Sequence, residues 1–439
     1  MRNVIVRRVM FLALGCTLFT GRRTSAEVKI SDAVNLSAAC DATASGAGAH
    51  GGTQSRICRT SHGTYVAYLG ENPKQEAILH VLRIRDGRPT RLLTVPTVVV
   101  GSNGVHVVSD GHEEVYVIAA GSRFADGAER AVLTAYHIDR NTGAATEYSE
   151  TVPFGKGSGF GYSSVSIDAA RRDIHAIYSG GDAPGYLAWI RFDLARKRWA
   201  TTAIVAELAY RHCYNYGFAD GRGGMIILSE RDIKNASAGI TPSDKGRKIN
   251  AEYVWDELRL FYVGNIAKPD YKPVDVEPAV YDKTVGLYPT VQNNWKGDTY
   301  LDLQGRLHVL YMSDDNNHTP GSFNRHAIFD AQGNCIRNDR LQFQEACAMR
   351  MAQSVAGRHY IIAMPYERAA CVQVWGATDA DGASYVLLAE KKLSKEIKPS
   401  YAGLAASCPR NGSRQDNQID CLFPANRDYY WFSIHLKGG

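Results

Sequence analysis

Residues 104–121 read "GVHVVSDGHEEVYVIAAG": an apolar run, a polar turn, and a second apolar run. Valine-rich runs of this length, broken by Asp-Gly, predict two strands joined by a tight turn. The same phrase returns at 161–180 ("GYSSVSIDAARRDIHAIYSG"), 217–231 ("GFADGRGGMIILSER"), 298–314 ("DTYLDLQGRLHVLYMSD") and 351–368 ("MAQSVAGRHYIIAMPYER"). Three copies continue into a further strand and turn, at 131–144, 188–200 and 325–334. No amphipathic helical stretch of comparable length intervenes. With 64–84 ahead of the series and 420–436 behind it, the units number about seven, each roughly 45–60 residues long. Short strands at this period predict an all-β fold, a seven-bladed β-propeller. A tandem of β-sandwiches would account for the strands but not for the recurring turn.

Composition agrees with a globular chain. Of 439 residues, 45% are hydrophobic and 22% charged, which excludes general disorder. The net charge of +5 is scattered, with no Lys/Arg block, so no nucleic acid partner is expected. A mildly basic surface suits an anionic ligand. At the N-terminus, "MRNVIVRR" followed by "VMFLALGCTLF" and "TSA" reads as a secretory signal ending at Ala26. That leaves 27–439 as a single propeller domain, secreted or periplasmic, monomeric, and with no segment apolar enough for a membrane. Of nine cysteines, eight lie beyond the signal. In an exported chain they predict disulfides, with Cys40–Cys58, Cys335–Cys347 and Cys408–Cys421 as plausible close pairs. The zinc alternative needs a compact Cys/His cluster such as C-x-x-C, and none is present in the sequence.

One segment stands apart. "YRHCYNYGFADGRGG", 210–224, places Tyr210, His212, Tyr214 and Tyr216 at alternate positions, which in a strand share one face. Because "DGRGG" turns this segment into "MIILSER", it is the first strand of its blade, the one that lines a propeller's axis. The row then faces the channel mouth, or else packs between blades. Arg231 ends the following strand; Tyr162 and His106 belong to the first strands of the two preceding blades, and Arg350 to that of a later one. His175 and His308, in apolar second strands, read as core.

Tyr, His and Arg with few carboxylates argue against glycoside hydrolysis, which usually needs two carboxylic acids across the scissile bond. They suit β-elimination of a uronic acid polymer. There Arg231 would neutralise the sugar carboxylate, His212 or His106 would remove the C5 proton, and Tyr214 would protonate the leaving oxygen. Tyr162, Tyr210, Tyr216, His318, Arg325 and Arg350 are candidate substrate contacts. No cofactor is required for this chemistry. A structural metal, calcium or zinc, is an option, and the Asp314–His318 loop is oxygen-rich but lacks the EF-hand spacing.

An exported seven-bladed propeller with "YRHCYNYGF" followed by "LSER", and with "LHVLYMSDDNNHTPGSFNRHAIFDAQGN" later, resembles the propeller polysaccharide lyases: the ulvan lyases and the rhamnose–glucuronate lyases. The resemblance implies an inner-strand His as base, Tyr214 as acid and Arg231 as carboxylate clamp, acting on an anionic polysaccharide. The third blade offers "GYSSVSI" where such an enzyme would supply a histidine, which leaves the base between His106 and His212. A noncatalytic carbohydrate-binding propeller is the alternative. A sialidase-like hydrolase is disfavoured, because the S-x-D-x-G-x-T-W turns of that group are missing. Oligogalacturonate lyases hold a metal with several histidines and a glutamine, and no such cluster can be assembled on the inner strands.

Overall fold

The computed structural model describes residues 28–41, 55–71, 77–96, 104–125, 128–152, 163–181, 184–200, 203–234, 253–266, 268, 270–277, 293–314, 323–343, 347–365, 371–399 and 403–436. Tyr162, His318 and the N-terminal segment predicted as a signal lie outside them. The strands form seven antiparallel sheets around one axis, so the chain is an all-β seven-bladed propeller. The blades run 57–96, 105–152, 164–208, 212–277, 293–340, 347–392 and 405–436. The N-terminal strand Val28–Ile30 pairs with Asp428–Leu436 and closes the ring as the outer strand of the last blade.

The recurring phrase is explained by its turn. Asp110 Oδ1 accepts the amides of His112 and Glu114, at 2.8 and 3.1 Å. Asp220 and Asp302 do the same two and four residues ahead, and Ser354 caps Arg358. A short acceptor that bonds its own downstream backbone fixes the link between first and second strands. Successive sheets then pack face to face. Val108, Tyr116 and Ile118 of the second blade meet Ile174, Ala176 and Tyr178 of the third in one buried cluster.

The axis is filled at the end where these turns lie. The short 3-10 turn Pro409–Asn411 enters it and touches the first strands of blades two, three and four. Asn411 Nδ2 donates to Ile57 O at 2.7 Å and Val107 O at 2.9 Å, tying two blades together. Gly412 has φ +75°, and a Cβ there would sit 2.0 Å from Ser109 O, so no other residue fits.

The predicted disulfides do not form. Cys40, Cys58, Cys335, Cys408 and Cys421 carry free thiols, and the side chain of Cys347 lies outside the described residues. Proximity along the chain misled here. Cys421 faces Ala406 and Phe432 across its ladders, whereas Cys408 has already left the sheet. Cys58 donates to Asn411 O instead. Burial pushes the Cys58 thiol up to about 12 and that of Cys408 to about 11, so both stay protonated and unreactive.

Three buried histidines make the fold acid-sensitive. Burial, with help from nearby arginines, pulls His106 and His175 down to about 3 and His80 to about 4. Their folded pKa lies below the unfolded value, so the unfolded chain binds more protons and stability is lost as pH falls. Thermal midpoints should therefore hold near neutrality and drop steadily from about pH 6.5 toward pH 4, the range over which an unfolded histidine charges. A series of melts against pH checks this; a flat profile across that range contradicts it.

Candidate functional site

The row predicted over Tyr210–Tyr216 is interrupted. His212 pairs with Arg231 and Cys213 with Glu230, but Tyr216 pairs with Leu228, so Tyr214 and Asn215 together oppose Ser229. This is a β-bulge, with Tyr214 in the left-handed region at φ +54°. A tyrosine there is strained by sterics alone, and something must hold it. Ser229 Oγ donates to Asn215 Oδ1 at 2.7 Å, and Asn215 Nδ2 donates to Ser179 Oγ at 2.7 Å on the neighbouring blade. The clamp is buried throughout. Strict alternation therefore failed as a guide to which of the four residues share a face.

What the bulge leaves intact is a row across the sheet. His212 pairs with Arg231, and Arg231 pairs with Glu257 on the third strand, Tyr253–Asn265. Glu257 Oε2 lies 3.5 Å from His212 Nε2 and 3.5 Å from Arg231 Nε, and its other oxygen meets Arg259. Arg259 also bonds Asp275 at 2.7 Å. The Arg231 guanidinium stands over the Tyr210 ring, 5.8 Å from its centre, and Phe261 packs edge-on against His212.

The electrostatics of this group are specific. Burial favours a neutral His212 and lowers its pKa, with Glu257 opposing. Burial alone would raise Glu257, but the bond from His212 and the two guanidinium charges outweigh it and keep the carboxylate ionised. With Nε2 turned toward Glu257, His212 Nδ1 is a buried nitrogen without a hydrogen-bond partner among the described residues. A neutral imidazole oriented by a carboxylate at one nitrogen and unoccupied at the other is the protonation state a general base requires. His212 and Tyr214 are, however, 2% and 6% exposed.

The other candidates fall elsewhere. His106 is fully buried, with Nε2 on Ser163 Oγ at 2.9 Å, in the shell of Arg56 and Arg410 around the axis. Tyr216 and Arg350 meet at one point, both donating to the carbonyl of Gly297. Arg410 lies over Tyr216 and beside Asp298, so these residues build the axial floor. Arg325 sits between blades four and five, on Asn338 and Glu277. The structure thus brings together Tyr210, His212 and Arg231, with Tyr214 in the adjoining bulge. Glu257 is the residue that sequence reasoning missed, since only strand register places it opposite Arg231. A groove of about 710 Å³ on the closing seam, lined by Arg59, His62, Arg85 and Trp431 among others, contains none of them.

A buried triad of Asp302, His308 and His359 could hold a metal ion. Its ligand atoms come from blades five and six and take no part in the group around Glu257. His308, read as core, is buried as expected, but it is built into this polar cluster.

No known family pattern matches the chain, and no curated protein does. Among solved structures, it is similar to an ulvan lyase of a polysaccharide lyase family, solved free and bound to -[GlcA(1-4)Rha3S]-. The TM-score is 0.57 at 12% identity, over 90% of this chain and 94% of that one. Weaker likenesses are to the α-L-arabinofuranosidase Arb93A of Fusarium graminearum, with TM-score 0.45 at 10% identity over 83% of this chain and 98% of that one. The Penicillium chrysogenum α-L-arabinanase solved with arabinobiose gives 0.46 at 8% over 93% and 98%. The ulvan lyase match supports the seven-bladed propeller fold that the sequence predicted.

Proposed function

We propose that this protein is an exported polysaccharide lyase that cleaves a uronic-acid-containing polymer by β-elimination. The observation that carries the reading is the row His212–Arg231–Glu257 beside the bulged Tyr214. Arg231 would pair with the uronate carboxylate, acidifying the C5 proton. His212, neutral and with no hydrogen bond at Nδ1 from the described residues, would take that proton. The electrons of the C5–H bond form the C4–C5 double bond, the C4–O bond breaks, and the Tyr214 phenol protonates the departing oxygen. None of these steps calls for a cofactor. The likeness in fold to a lyase solved with a glucuronate-containing ligand supports the substrate class.

A noncatalytic carbohydrate-binding propeller is the second reading, and the burial of His212 and Tyr214 favours it. Incubating the mature protein with glucuronate, iduronate and galacturonate polymers, followed by ultraviolet absorbance, separates the two. A rise from the conjugated C4–C5 double bond supports elimination. New reducing ends without absorbance would mean hydrolysis, and retention on immobilised polymer without either would mean binding only.

A further inference from the structure

The geometry points to a transition-metal site, best matched to zinc, made by Asp302 Oδ2, His308 Nε2 and His359 Nε2, that clasps blades five and six at the end of the propeller remote from His212. His212 opens its first strand, so the candidate active site lies where first strands begin. Asp302 sits in the turn after the first strand of blade five, and His308 and His359 lie at the start of the second strands of blades five and six. The inference is independent of the lyase reading.

Three observations carry it. The ligand atoms lie within 4.8 Å of one another and the three side chains are wholly buried. Asp302 Oδ2 is 3.0 Å from His308 Nε2 and 3.7 Å from His359 Nε2. Ligands of a tetrahedral zinc site stand about 3.4 Å apart, midway between those values. Two imidazoles and one carboxylate suit zinc or a neighbouring transition metal, and calcium, which takes oxygen, far less well.

The second observation is the tautomer that Gln353 imposes on His359. Gln353 is held in one orientation, with Oε1 accepting from Leu303 N at 3.1 Å and Nε2 donating to Gly357 O at 2.9 Å. Its Nε2 also lies 3.2 Å from His359 Nε2. If His359 carries its proton on Nε2, that proton meets the amide donor of Gln353. Without that proton, Nε2 presents its lone pair to the second N–H of Gln353, so the amide fixes the lone pair on Nε2, the form in which an imidazole ligates a metal.

The third is the surrounding support. His308 Nδ1 is 2.9 Å from His326 Nε2, and the two rings stack. A second imidazole on the far nitrogen is the kind of outer partner that orients a metal-binding histidine. Asp302 Oδ1 is held by the turn amides of Gln304 and Arg306, and Arg306 Nε takes one side of Oδ2 at 2.8 Å. The carboxylate is thereby fixed, with a lone pair of Oδ2 still directed at the two histidines. The fourth position falls to water in this ligand set.

The test is cobalt and zinc titration of the untagged, full-length protein after chelation and dialysis. One cobalt ion per chain, with the visible bands of a four-coordinate ion, is expected, and zinc should displace it. The thermal midpoint should rise with zinc concentration, since a ligand that binds only the folded state stabilises it. Asp302→Asn and His359→Gln should each weaken retention at least tenfold. Because buried substitutions can impair folding, proton NMR of the cobalt-loaded wild type provides a second readout. It should show paramagnetically shifted imidazole N–H signals from two histidines. Folded wild type that retains no metal, variants that retain it unchanged, or a histidine count other than two would each overturn the site.

Discussion

Tyr214→Phe should lower the elimination rate by about 10²–10⁴-fold, the range general acid–base groups contribute, while the protein melts close to wild type. The backbone makes this a clean experiment. Position 214 has φ +54° in the bulge, and phenylalanine bears the same strain there as tyrosine. The ring is kept, so packing in a site that is 6% exposed is kept as well. Only the hydroxyl is removed. Initial rates by ultraviolet absorbance and a thermal melt on the same preparation read both halves. Full activity in this variant would remove Tyr214 from the mechanism; a large drop in the melting midpoint would assign its hydroxyl to the fold instead.

Glu257→Ala should cost about 3–5 kcal/mol of stability, the range found when one partner of a buried ion pair is deleted. Glu257 serves His212, Arg231 and Arg259 together, with its side chain 3% exposed. Its removal takes away the buried anion that His212, Arg231 and Arg259 share, although Arg259 keeps Asp275. Chemical denaturation of wild type and variant measures the difference. Glu257→Gln keeps the shape and is the milder change, and it separates positioning from folding. Glu257 raises the His212 pKa against the effect of burial, so without its charge that pKa falls further. The acid limb of the rate profile should move to lower pH in Glu257→Gln. An unmoved limb would show that His212 is not the group titrating in the rate.

Much of the propeller was legible because its signal is local and repeated. Asp110, Asp220 and Asp302 each bond their own turn, so the strand–turn–strand phrase recurs in the text of the sequence. His212 and Arg231 were legible for a similar reason, since one tight turn joins their strands. Glu257 was not, because it comes from the third strand across a long connection and is placed by register alone. The bulge at Tyr214 was hidden too: alternation predicts a regular strand, and nothing in "HCYNYG" marks Asn215 as a clamp to Ser179 and Ser229. The disulfides failed on the converse error, nearness in sequence standing for nearness in space. The Asp302–His308–His359 triad escaped because its members are spread over positions 302 to 359 and lie outside the inner strands.

The central claim is that a bond is cleaved by elimination, and fragment masses test it most directly. A defined tetrasaccharide with one internal glucuronate, digested to completion, gives two fragments for mass spectrometry. Elimination adds no water, so the two masses should sum to that of the parent, with the unsaturated ring on one fragment. Masses that sum to parent plus one water would mean hydrolysis and would contradict the roles given to His212, Tyr214 and Arg231.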